Sequence, residues 1–132
     1  MSSVRFENGK RVIRNWDRVF EAASAEPRRQ IVISLSDVSP DESVPLPERA
    51  INPNVPADPE PLRRDLLHRH LPLLADYEFV EWEADPLVAS RGPRFAEVAA
   101  VFEAIQSSAV ALPDSLVIGC QRLEREQQFD DR

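Results

Sequence analysis

Cysteine occurs once in the 132 residues, at Cys120. One thiol can neither close an intrachain disulfide nor build a cysteine-based metal site. Its neighbours Leu116, Val117 and Ile118 give it the reading of a small buried hydrophobe, since a reactive thiolate needs more positive charge nearby than Arg122 supplies. Glycine is nearly as scarce, at Gly9, Gly92 and Gly119, which excludes a glycine-rich phosphate cradle. No run approaches the ~20 apolar residues of a membrane span. The opening MSSVRFENGKRV lacks the apolar stretch of a secretory signal, so a cytoplasmic protein with no membrane contact is expected. Catalytic patterns are missing as well. No nucleophile sits in an elbow motif, and Asp76, Glu78, Glu81 and Glu83 are spaced as solvated charges rather than as an acid–base pair. His68 and His70 are two apart, which on a helix turns them about 200° from each other, whereas a helical zinc pair needs i, i+4 spacing. Neither an enzyme nor a cofactor nor a metal is expected.

Lysine is the remaining scarcity. Lys10 stands alone among 16 basic residues, against 23 acidic ones, for a net charge of -7. Carboxylates hydrate a surface in concentrated salt and long lysine stems do not, so the composition points to a salt-rich cytoplasm, with an ordinary acidic protein as the alternative. A net negative chain disfavours phosphate. The charges are segregated, however. Arg5, Lys10, Arg11, Arg14 and Arg18 dominate the first 20 residues, Arg63, Arg64 and Arg69 the stretch 62–72, while Asp76, Glu78, Glu81, Glu83 and Asp85 form an acidic run. A local basic face is compatible with that pattern.

With 42% hydrophobic residues the chain can bury one modest core. Asn8-Gly9 between Val4/Phe6 and Val12/Ile13 predicts a short hairpin or a loose arm over residues 1–15. Asn15 is placed to cap a helix from Trp16 to Ala25, burying Trp16, Val19, Phe20 and Ala23. Pro27 opens a second helix to about Ser36, with Ile31, Val32 and Leu35 inward. Residues 40–61 hold seven of the twelve prolines, so they form a loop carrying at most a small edge strand at Ser43–Leu46 and a short helix opened by Pro47. The clearest helix follows Pro93, with Phe95, Val98, Ala99, Phe102 and Ile105 in one stripe. Asp114 or Ser115 opens a last helix with Leu116, Cys120, Leu123 and Gln127 near heptad spacing.

The segment 60–90 carries the functional reading. Asp58 or Glu60 starts a helix whose Leu62, Leu66, Leu67, His70, Leu73 and Leu74 share one face, with Arg63, Arg64, His68 and Arg69 mainly opposite. Pro72 kinks that helix or ends its regular part at Leu71. Phe79–Trp82 and Leu87–Ala89 are strand-like around the turn Ala84-Asp85-Pro86. A helix followed by a hairpin is what a winged-helix DNA-binding domain requires. Taken alone, three helical arginines are more often solvated ions paired to neighbours such as Glu60 or Asp65. The hairpin that follows tips the balance. Arg91 and Arg94 stand at the base of this wing, whose acidic tip is expected to contribute little. His70, among leucines, reads as a hydrogen-bonded core histidine, and His68 as an exposed one.

Two strings resemble known proteins. EPRRQIVISL is similar to the EPxRRxIL helix start of ArsR-like winged-helix regulators. LHRHLPLLADYEFVEWE resembles a HxHLPxLADAGLVEYD-like motif of small haloarchaeal winged-helix domains, through His68, His70, Leu71, Pro72, Leu74, Ala75, Asp76, Val80, Glu81 and Trp82. The likeness spans about residues 16–90. It departs where Tyr77-Glu78-Phe79 replaces Ala-Gly-Leu, and where the proline-rich 52–61 lengthens the helix-turn-helix connection. The resemblance implies a transcriptional regulator of a halophilic archaeon. The expected architecture is α+β and mainly helical: a winged helix-turn-helix over 16–92 with a two-stranded wing, and C-terminal helices over 93–132 for dimerisation. The expected activity is binding of double-stranded DNA by a homodimer through Arg63, Arg64, His68, Arg69, Arg91 and Arg94. Phe95, Val98, Phe102, Ile105, Leu116 and Leu123 are the expected dimer seam. The competing reading is a winged helix that binds a protein partner through its acidic surface and no DNA.

Overall fold

The structure, a computed structural model, describes residues 2–117 and 123–126. It is α+β and mainly helical, with a small three-stranded antiparallel sheet. Helix α1 spans Ser2–Ala23 and α2 Glu26–Ser36. Strand β1 is the pair Val44–Pro45, followed by a 3-10 turn at Glu48–Ala50. Helix α3 (Pro59–Asp65) runs through a π-turn at Leu66–His70 into α4 (Leu71–Asp76). Strands β2 (Val80–Ala84) and β3 (Leu87–Arg91) form a hairpin. Helix α5 is Phe95–Ser107, and after a 3-10 turn at Ala109–Ala111 comes α6, Asp114–Val117. Cys120 and Gln127, expected on a C-terminal helix, lie outside the described residues.

Residues 2–15 are neither a hairpin nor an arm: helix α1 runs straight through Asn8-Gly9. A hairpin needs a face to bury, and residues 4–14 bury nothing. The helix instead propagates from a docked C-terminal half, where Val19 and Ala22 are in the core. Local pairs favour it: Lys10 lies 3.9 Å from Glu7 and 4.5 Å from the Phe6 ring centroid. Asn15 therefore caps nothing. The inward side of α1 also differs from expectation, for Trp16 and Phe20 are exposed.

The core lies between α2, which contributes Ile31, Val32 and Leu35, the α3–α4 unit with Leu66, Leu71 and Leu74, and α5 with Phe95 and Val98. Each such side chain contributes about 1.5–3 kcal/mol on burial. The sheet closes one side in the order β1-β3-β2, with Val44 opposite Ala89 and Trp82 opposite Ala89 on the other edge. Pro45 is tolerated because β1 is an edge. The turn between α4 and the hairpin is the tightest junction. Glu78 occupies it at φ 64°, the left-handed region. The Glu78 carbonyl accepts a 2.8 Å bond from the Arg94 amide, and Gly92 passes so close that an added Cβ would sit 2.5 Å from that oxygen and 2.8 Å from the Val80 nitrogen.

Two substitutions at this junction are expected to act in opposite directions in denaturant midpoints. Gly92→Ala pushes a methyl group into backbone and lowers stability by about 2 kcal/mol or more. Glu78→Gly removes the side-chain clash of a left-handed residue and raises stability by up to about 1 kcal/mol, less the greater chain entropy of glycine.

Candidate nucleic-acid interface

The site is built outward from the helix that carries it. Asp58 caps α3, its carboxylate accepting from the Glu60 amide at 3.2 Å, with Pro59 in the first turn. The regular spiral then widens: the Leu71 amide bonds to the Leu66 carbonyl five residues back. Proline 72 explains the place. It has no N–H for the turn before it, and its ring would crowd the His68 carbonyl in a normal α-turn. The irregularity therefore precedes the proline and α4 resumes behind it, rather than the helix breaking at Leu71. Leu66, His70, Leu71 and Leu74, spaced four, one and three residues apart, stay buried across the irregularity.

His70 locks this stripe to the rest of the protein. Its imidazole is buried, and the buried Arg28 guanidinium lies 2.8 Å from Nδ1. A guanidinium can only donate, so Nδ1 carries the lone pair and the proton sits on Nε2. Arg28 also donates to the carbonyls of Ala22 at 3.1 Å and Glu21 at 2.9 Å, and to the Ser24 hydroxyl at 2.8 Å. It thereby satisfies the carbonyl end of α1 and the α1–α2 turn as well. A second tie lies seven residues on, where the Tyr77 hydroxyl donates to the Glu21 carboxylate at 2.6 Å. The α3–α4 unit is thus held at both His70 and Tyr77 against one corner of α1. Burial, first, and then the charges of Arg28 and Arg69 hold the His70 imidazole below its ordinary pKa of 6.5, against a smaller opposing effect of Asp65.

This anchoring decides which side chains face out. Arg64, His68 and Arg69 are exposed, and among the described residues none has a salt bridge or hydrogen-bond partner. Arg63 is half-buried and leans toward the hairpin tip, 3.5 Å from the Ala84 carbonyl. Arg91 and Arg94 do not join them. Arg91 bonds the Leu35 carbonyl at 2.8 Å and the Val38 carbonyl at 2.9 Å, a cation on the C-terminus of α2, and stacks 4.9 Å from the Phe95 ring centroid. Arg94 pairs with Glu97 at 2.9 Å and reaches Asn15 Oδ1 at 2.9 Å, tying α5 to α1. Both are structural, because each sits where unpaired carbonyls or carboxylates already wait. Glu81, Glu83 and Asp85 of the hairpin are exposed.

The expected dimer seam is largely spent within the subunit: Phe95, Val98 and Phe102 are buried in its own core, facing α2. Ile105 and Leu116 remain exposed, and Leu123 is half-buried. Sequence reasoning missed Arg28. Its signal was present, since Arg28 falls on the same face as Ile31, Val32 and Leu35, where a charged residue must find buried acceptors. No cluster of potential metal ligands occurs among the described residues, nor any helix long and apolar enough to cross a membrane. No protein-family model, curated protein or solved structure matches the chain.

Arg28→Ala leaves several buried acceptors unbonded and is expected to lower stability by about 3 kcal/mol, whereas Arg29→Ala next to it, at a part-exposed ion pair, changes it by less than about 1 kcal/mol. The His70 contribution has a defined pH window. Above 6.5 both folded and unfolded imidazoles are neutral and it is fully present. As pH falls below 6.5 the unfolded chain takes up the proton first, so stability is lost, by at most about 1.4 kcal/mol per pH unit, until the folded imidazole also protonates. His70→Asn keeps an acceptor near Nδ1 and is expected to remove this slope in chemical denaturation from pH 7.5 down to about 5.

Proposed function

We propose that this chain is a winged-helix protein that binds double-stranded DNA, with the α3–α4 unit lying in a major groove. The observation that carries the reading is the set of outward, partnerless cations Arg64 and Arg69, with His68, on a helix whose other face is fastened by Arg28. An arginine held outward on a rigid element can meet phosphate, or the paired acceptors of guanine, without first leaving a carboxylate. The order helix, edge strand, short turn, helix, hairpin and the sheet order β1-β3-β2 support this reading. The motif likeness around His68–Trp82 points the same way and suggests a regulator of transcription. Arg63 belongs at the margin of the footprint, and Arg91 and Arg94 fall outside it.

A second reading has one observation in its favour. The hairpin beside the helix exposes Glu81, Glu83 and Asp85 on a chain of net charge -7, which would repel phosphate and suit a basic protein partner. Fluorescence anisotropy with duplex DNA over a salt series separates the two. The DNA reading expects affinity to fall with salt, and Arg64→Ala with Arg69→Ala to weaken binding and flatten the logarithmic salt slope by up to about 2, near 0.9 per lost phosphate contact. Wild-type protein without salt-dependent duplex binding contradicts it.

A further inference from the structure

Helix α1 carries a second apolar face that the fold leaves uncovered from Phe6 to Phe20, its last member Ala23 being half-buried at the edge of the core. Phe6, Gly9, Ile13, Trp16, Phe20 and Ala23 recur at alternating spacings of three and four. That is a heptad seam with Phe6, Ile13 and Phe20 at one core position and Gly9, Trp16 and Ala23 at the other. On the helical wheel the seam lies about 120° from the Val19/Ala22 side that docks on the body. Its large members are open to solvent: Phe6 63%, Ile13 62%, Trp16 48% and Phe20 61% exposed. Toward the body the seam continues into an apolar groove between Trp16 and Phe20 on one side and Val101, Ala104, Ile105 and Leu112 on the other. A contiguous strip of this kind on a small domain marks an interaction surface.

We propose that this seam pairs with the same seam of a second copy of the chain, the two α1 helices running antiparallel. The register follows from the residues themselves. Antiparallel pairing about a two-fold axis between Arg14 and Asn15 sets Gly9 opposite Phe20 of the second copy, Phe6 opposite Ala23, and Ile13 opposite Trp16. Every layer then joins a large side chain to a smaller one, the condition for filling an interface without voids. The same register places Lys10 beside Asp17 of the second copy, opposite charges at flanking positions. Parallel pairing would instead stack Phe20 on Phe20, leave Gly9 facing Gly9, and bring Arg5 next to Lys10.

Gly9 is the independent observation. A mid-helix glycine costs about 1 kcal/mol relative to alanine. Nothing within the subunit asks for it, since a Cβ built there meets no atom within 4 Å. Close approach of a phenylalanine from another helix does ask for it. The N-terminal part of α1 points to the same partner. Residues 4–14 are exposed throughout, and a solvated helix of that length is marginal on its own.

The pairing does not depend on DNA binding, and its test is read by mass alone. Sedimentation equilibrium of the full chain is expected to give a dimer. Gly9→Leu improves the helix but fills the space for Phe20, so it is expected to raise the dimer dissociation constant at least about tenfold, both symmetry-related layers being affected. Adding Phe20→Ala in the same chain reopens the space and is expected to restore the dimer. A monomeric wild type overturns the proposal. So does a Gly9→Leu dimer as tight as wild type or tighter, the outcome of parallel pairing, and so does a Gly9→Leu/Phe20→Ala protein that stays monomeric.

Discussion

The hydrogen bond from the Arg28 guanidinium to Nδ1 of His70 ties together three parts of the chain that are far apart in sequence. Arg28 belongs to the first turn of α2, its other donors close the end of α1, and His70 sits in the widened turn between α3 and α4. Burying a guanidinium is unfavourable unless its donors are satisfied, and here carbonyls, a hydroxyl and an imidazole nitrogen satisfy them. The arrangement works only if the helix is rolled so that His70 faces in. That roll, in turn, sends Arg64, His68 and Arg69 out. Stability and the candidate binding face are therefore set by one contact. The π-turn lies in the same segment, where it lets the helix pass Pro72 while His70, Leu71 and Leu74 all stay in the core.

Much of this was legible in the sequence. The starts at Pro27 and Asp58, the edge strand near Val44, the hairpin around Asp85-Pro86 and the long helix after Pro93 all follow from local rules of capping, proline geometry and periodicity, and each is observed. The opposite environments of His68 and His70 follow from their spacing of two. What failed shares a physical origin. Asn8-Gly9 permits a hairpin but does not compel one, and without a face to bury the segment extends the helix behind it. Arg91 and Arg94 look like free cations in a string of letters, yet the carbonyls of Leu35 and Val38 and the carboxylate of Glu97 claim them in space. Phe95, Val98 and Phe102 form a stripe that any partner could cover, and it is covered within the same chain, where α5 packs against α2 and α1. Periodicity reports that a face is covered and is silent on what covers it.

The two outward surfaces divide the molecule by chemistry. One is short, cationic and held in place by a buried polar network. The other, along α1, is apolar, with large residues flanked by Gly9 and Ala23. A two-fold axis through α1 would present the basic helix twice, which is how a small protein of net negative charge would gain purchase on a duplex. On the DNA reading the acidic hairpin would oppose phosphate and reward sequence contacts over general phosphate attraction.

Long-range proton–nitrogen correlation spectra of the histidine side chains, recorded on the intact protein at about pH 7.5, test the central contact most directly. A guanidinium donating to Nδ1 requires the neutral His70 ring with its proton on Nε2, and this pattern should vanish when Arg28 is replaced. A His70 ring that is protonated, or that carries its proton on Nδ1, would contradict the account.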